Sequence, residues 1–110
     1  MKKSDTPPTN DMPSAHMENN SDSLACSKLG ALRTEIDKAD TRIWSLLERR
    51  FALLKEIAKI KRDLNMPILD EKREKDVLAK IGAMDYDPEV STAIVTLYKL
   101  LFELSRKYQG

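Results

Sequence analysis

Between Leu29 and Leu64 an apolar residue returns every third or fourth position: Leu29, Leu32, Ile36, Ala39, Ile43, Leu46, Leu53, Ile57, Ile60 and Leu64. Steps of 3 and 4 alternate without a slip for about five heptads, which is the seam of a long helix packed against other helices. One position in the series breaks the rule. Arg50 stands where an aliphatic residue belongs. A second row, seven residues apart, runs beside the seam through Arg33, Asp40, Leu47, Leu54 and Lys61, so two more cations edge the same apolar face.

The length of this helix is itself informative. Serines near Ser23 to Ser27 favour its N-terminal cap. Asn65-Met66-Pro67 supplies a stop, because proline disfavours helix for the residue before it. About 38 helical residues at ~1.5 Å rise give a rod of roughly 57 Å. A compact domain of ~100 residues has a radius of gyration near ~13 Å. The residues that follow cannot cover such a rod, so its seam calls for a second chain. The expectation is an all-α, intertwined homodimeric bundle of three helices per chain, the first very long.

The remainder of the chain fits that class. Charged residues make up 34%, aromatics 5%, and there are only three glycines, which suits helices and not a β-sandwich. Residues 1 to 24 hold three of the five prolines and almost no large apolar side chain. They read as a disordered polar tail that contains His16 and two further methionines, Met12 and Met17, as possible starts. Residues 25 to 110 form the helical domain. Asp70 can cap a second helix from Glu71 to Ile81, with Val77, Leu78 and Ile81 inward and Gly82 ending it. Asp87-Pro88-Glu89 opens a third helix to about Tyr108, with an apolar stripe through Val90, Ile94, Leu97, Leu101, Leu104 and Tyr108. Ser105 and Gln109 follow Leu101 at successive i+4 steps and share one face.

Charge excludes some partners. Nineteen cationic side chains against 18 anionic ones leave a net +1, without the basic excess of a nucleic-acid binder. No apolar run approaches the ~18 residues of a membrane span, and no apolar segment follows the basic start as in a secretory signal. Cys26 is the single cysteine and has no intramolecular disulfide partner, in keeping with a reducing, cytoplasmic setting.

Arg50 and Lys61 lie 11 residues apart, so both point the same way, about 16 Å apart along one helix. Arg33 lies roughly 25 Å before Arg50 and is rotated by about 100°, out of reach of one small ligand on a straight helix. In an antiparallel dimer the partner's Arg33 would reach the other two. Cations gathered in an apolar bundle repel one another unless an anion neutralises them. Guanidinium forks suit carboxylates and phosphates. Neither a glycine-rich phosphate loop nor a His/Cys metal cluster is present, so no cofactor and no metal are expected. The plainer reading of Arg50 has it reaching solvent or pairing with Glu48 or Glu74. For Lys61 it is a solvated edge residue. Asp70 reads as a helix cap, and Arg73, Glu74, Ser105 and Gln109 as ordinary polar helix surface.

Together, LGALRTEIDKADTRIWSLLERR, KEIAKIK, MPILDEKRE and SRKYQ make residues 29 to 109 resemble the all-α chorismate mutases. The combination of Arg33, Arg50, Lys61, Asp70-x-x-Arg73-Glu74, Ser105 and Gln109 carries the resemblance. It implies the rearrangement of chorismate to prephenate, a one-substrate pericyclic reaction that needs no nucleophile, metal or general base. The resemblance also implies a role for each residue. The partner's Arg33 and Lys61 would hold the side-chain carboxylate. Arg50, with Ser105 beside it, would hold the ring carboxylate. Lys61 and Gln109 would donate to the ether oxygen. Glu74 and the backbone at Asp70 would take the ring hydroxyl, with Arg73 in the same wall. Two rivals remain: an isochorismate pyruvate-lyase of the same fold, and a non-catalytic helical dimer that regulates or scaffolds another enzyme. Glu74 within the complete Asp70-x-x-Arg73-Glu74 group favours the mutase over the lyase.

Overall fold

A computed structural model describes residues 20 to 110. Most of the expected polar tail, with Met12, His16 and Met17, lies outside the described residues. Three α-helices follow in order: α1 (Asn20–Asp63), α2 (Glu71–Ala83) and α3 (Pro88–Gln109). Among the described residues there is no strand. None of these helices is long and apolar enough to cross a membrane.

α1 is longer than expected and starts earlier. It has 44 residues and begins at Asn20, so residues 20 to 24 are helical and do not belong to a tail. Asp22 in its first turn is favourably placed against the positive end of the helix dipole. Its C-terminus closes through backbone geometry and not through proline alone. Asn65 takes a left-handed conformation at φ 57°. The Met66 N–H then reaches Lys61 O at 2.7 Å and the Asn65 N–H reaches Arg62 O at 3.2 Å. This double closure satisfies the orphan carbonyls of the last turn, and asparagine is the non-glycine residue best suited to the left-handed position. Pro67 follows where the helix has already ended.

Asp70 caps α2 as expected, its side chain accepting the Arg73 N–H at 3.0 Å and its carbonyl the Glu74 N–H at 3.1 Å. The far end differs from expectation. The helix runs through Gly82 to Ala83, and Met84 stops it by turning extended, at φ −74° and ψ 149°. No glycine adopts a positive φ among the described residues, so Gly82 does not act as a C-terminal cap. Asp87 caps α3 through the Glu89 N–H at 2.8 Å, and Pro88 fills the first turn.

The chain divides into two compact units, and the division falls within α1 at Ser45/Leu46. In the first unit, Leu29, Leu32, Ile36, Ile43 and Trp44 are all exposed. In the second unit, Leu46–Gly110, α1 turns a different face to its neighbours than the seam. Ala58 is buried, and Leu47, Arg50, Phe51, Leu54 and Lys61 are half-buried. The seam residues Leu46, Leu53, Ile57, Ile60 and Leu64 stay exposed. α3 shows the same division. Phe102, Ser105 and Gln109 are buried, while Val90, Leu97, Leu104 and Tyr108 of the anticipated stripe are exposed. Two edge-to-face ring pairs add to the packing: Phe51 of α1 against Tyr108 of α3 at 5.0 Å, and Tyr98 against Phe102 within α3 at 5.7 Å.

Candidate active site

The second unit holds a cavity of about 200 Å³ at its inner polar residues. That is below the ~300–1,000 Å³ of drug-sized pockets, so it suits a compact ligand. α1 contributes Arg50 and Lys61 beside the apolar Leu54 and Ile57. α2 and its cap contribute Asp70, Arg73, Glu74 and Val77. α3 contributes Phe102, Ser105, Arg106 and Gln109, and Ile68 lines the loop side.

Arg50 and Lys61 are each held by neutral partners. Arg50 Nη1 donates to Ser105 Oγ at 2.6 Å, and Ser105 Oγ donates to Leu101 O, one turn back, also at 2.6 Å. The Arg50 guanidinium carbon sits 5.8 Å from the centre of the Tyr98 ring, within range of a cation–π contact. The half-buried side chain is therefore gripped on two sides, by Ser105 and Tyr98, and does not pair with Glu48 or Glu74. Lys61 Nζ donates to Ile68 O at 2.8 Å, which ties the end of α1 to the loop before α2. Two of its three protons remain for other acceptors.

Gln109 is buried, 9% exposed. Its Nε2 donates to Ser105 O at 3.3 Å, which fixes the amide orientation and leaves one N–H for another acceptor. Its Oε1 is buried without a hydrogen-bond partner. An unpaired buried acceptor costs about 1–3 kcal/mol, so a donor brought by a ligand would recover stability here.

Seven of the eight residues singled out in the sequence thus line one cavity: Arg50, Lys61, Asp70, Arg73, Glu74, Ser105 and Gln109. Arg33 is exposed on α1 in the first unit and is not among them. Sequence reasoning missed Arg106, whose Nη1 donates to Glu74 Oε2 at 2.5 Å. Its only sequence signal was weak: Arg106 lies one helical turn before Gln109 on the same helix. Arg50, Lys61, Arg73 and Arg106 bring four positive charges against two carboxylates, Asp70 and Glu74. Two positive charges remain, the complement of a dianion.

Residues 32–110 match the profile of the family described as chorismate mutase type II. The chain belongs to this family. It is 32% identical over 83 residues to the chorismate mutase of Methanocaldococcus jannaschii, over 74% of this chain and 84% of that protein. Among solved structures, the Form II chorismate mutase of Thermus thermophilus superposes with a TM-score of 0.70 at 33% identity, over 74% of this chain and 93% of that one. A conserved hypothetical protein of Pyrococcus furiosus gives a TM-score of 0.64 at 37% identity, over 76% and 96% of the two chains.

Proposed function

We propose that the chain is a chorismate mutase that converts chorismate to prephenate. The observation that carries this reading is the cavity's surplus of two positive charges in a chain of this family. Chorismate is a compact dicarboxylate with an ether oxygen between its two halves and a hydroxyl on its ring. The reaction moves no proton to or from the protein. It needs the side chain folded over the ring, and it develops negative charge on the ether oxygen as the C–O bond breaks.

Arg50, already oriented by Ser105 and Tyr98, takes the ring carboxylate in a fork. Lys61 and the partner's Arg33 take the side-chain carboxylate. Two anchors on opposite halves of the substrate select the folded conformer, which removes entropy from the barrier. Lys61 and the second N–H of Gln109 donate to the ether oxygen, where charge grows in the transition state. Glu74, with the backbone at Asp70, accepts the ring hydroxyl, and Arg73 completes the wall. Because these donors are in place before substrate arrives, little reorganisation is needed as charge develops.

A homodimer with sites shared between chains follows from the same reading. It is supported by the exposed seam of α1 and by the position of Arg33 outside the unit that holds the cavity. The single cysteine supports a cytoplasmic location.

The test is to incubate purified protein with chorismate and, separately, isochorismate. Prephenate from chorismate supports the mutase. Pyruvate released from isochorismate as the main product would make it a lyase, and no turnover of either would make it a binding protein. Arg50→Ala should lower kcat/KM by about 10²–10³-fold with the helical signal retained. Unchanged turnover would remove Arg50 from the site.

A further inference from the structure

One charged group in the cavity has no part in the reaction as derived. Arg106 occupies the last turn of α3, and its guanidinium closes on the carboxylate of Glu74 in the first turn of α2. This ion pair differs from the others described. Lys38–Glu35 and Lys72–Asp76 join residues three or four apart on exposed helix faces. Arg106–Glu74 joins two helices, and its side chains are 33% and 24% exposed. Partial burial strengthens a charge-assisted contact that would be nearly worthless at the surface.

The contact also divides the two oxygens of Glu74. Oε2 accepts from Arg106, and Oε1 takes no part in the hydrogen bonds of the site. Glutamate has three rotatable side-chain bonds, so a free carboxylate at this place would sample several orientations. With Oε2 held, the range of positions open to Oε1 is narrowed. Asp70 fixes the backbone end of the same side chain by accepting the Glu74 N–H at 3.1 Å.

We propose that Arg106 is a positioning residue that holds the Glu74 carboxylate so that its second oxygen meets the substrate's ring hydroxyl, making the site selective for substrates that carry this group. The inference rests on the reading of Glu74 given above. Arg106 does not touch the reacting bonds. It acts through Glu74 on a hydroxyl that takes no part in bond making or breaking. A site built to hydrogen-bond a hydroxyl disfavours an analogue that lacks it, because a buried polar group is then left unpaired. A mobile carboxylate would find other partners and discriminate less.

A purely structural tie between α2 and α3 is the alternative, and it makes a different prediction. Loss of a tie lowers stability and slows all substrates alike. Loss of a positioning contact slows those that bear the hydroxyl more than those that lack it. The experiment compares kcat and KM for chorismate and for its analogue with hydrogen in place of the ring hydroxyl. It uses wild type, Arg106→Met, Arg106→Lys, Glu74→Gln and the double variant Arg106→Met/Glu74→Gln, each checked for helical signal and thermal midpoint.

Arg106→Met should lower kcat/KM for chorismate by about ten- to a hundredfold, the weight of a hydrogen bond to a charged group. Turnover of the analogue, which keeps both carboxylates but lacks the hydroxyl, should fall by clearly less. Arg106→Lys keeps a positive charge on a shorter-reaching, differently shaped donor and should recover part of the loss. The double variant should be hardly slower on chorismate than Glu74→Gln alone, since Arg106 acts through the carboxylate that Glu74→Gln has already removed. Equal losses on both substrates, no loss on either, or additive losses in the double variant would overturn the positioning role. Should Arg106→Met fold poorly, the selectivity of the Arg106→Lys loss decides by the same criterion. A wild-type protein that leaves chorismate unchanged would instead overturn the proposed function.

Discussion

Gln109 combines a hydrogen bond, a spare donor and an orphaned acceptor within one buried amide. The bond to Ser105 O fixes which end of the amide faces which neighbour, so the group works as an oriented dipole. A neutral amide keeps its donor at every ordinary pH. A carboxyl group in its place donates only while protonated. Gln109→Glu should therefore give an enzyme whose kcat/KM falls as pH rises through the pKa of the introduced carboxyl, whereas wild type shows no such decline from this position. A pH–rate profile of the two proteins checks this, and parallel profiles would remove Gln109 from the ether oxygen. The residue scale is also where sequence reading met its limit. Arg50 was legible because a cation in an apolar row is costly without a purpose, whereas Lys61, Ser105 and Gln109 stood out only through the resemblance to the chorismate mutases. Arg106 was not, because a lone arginine in the last turn of a helix is already explained by the helix dipole. Only its contact with Glu74, 32 positions away in sequence, gives it a further role.

Among the elements, the end of α1 has the most to gain from chain geometry. The left-handed Asn65 lets two N–H groups turn back on the helix, and the loop that follows brings the Ile68 carbonyl to Lys61. Asn65→Gly should be neutral or slightly stabilising, since glycine adopts this conformation freely. Asn65→Val should cost about 1–2 kcal/mol, and more if the loop shifts. Thermal unfolding of the two variants measures the difference, and equal midpoints would mean that the turn does not govern stability. The Val variant should also raise KM, because Lys61 and Asp70 sit at the two ends of this loop. Helix number, the Asp70 and Asp87 caps and the run of α1 into Asn65 were readable from local chemistry. The choice between two adjacent rows of α1 was not. Periodicity of 3.6 shows that a helix has faces but does not say which neighbour each face meets, and the row through Leu47, Leu54 and Lys61 became the inner one.

For the molecule as a whole, the proposed dimer would cover the exposed apolar side chains of α1 and α3 with a second copy. In a two-fold dimer each site would draw Arg33 from the other chain. Mixing Arg33→Ala with Lys61→Ala chains should then restore activity, because one site of each mixed dimer keeps both native residues. With random exchange, about a quarter of all sites become native. Mixed dimers that form and stay inactive would show that each chain builds its site alone. The bare seam, from Leu29 to Leu64, carries one further consequence. When a chain finishes folding only by meeting its twin, its maturation is second order in abundance. Halving expression would then remove more than half of the catalyst, and the stranded copies, greasy side outward, would be the natural prey of proteases.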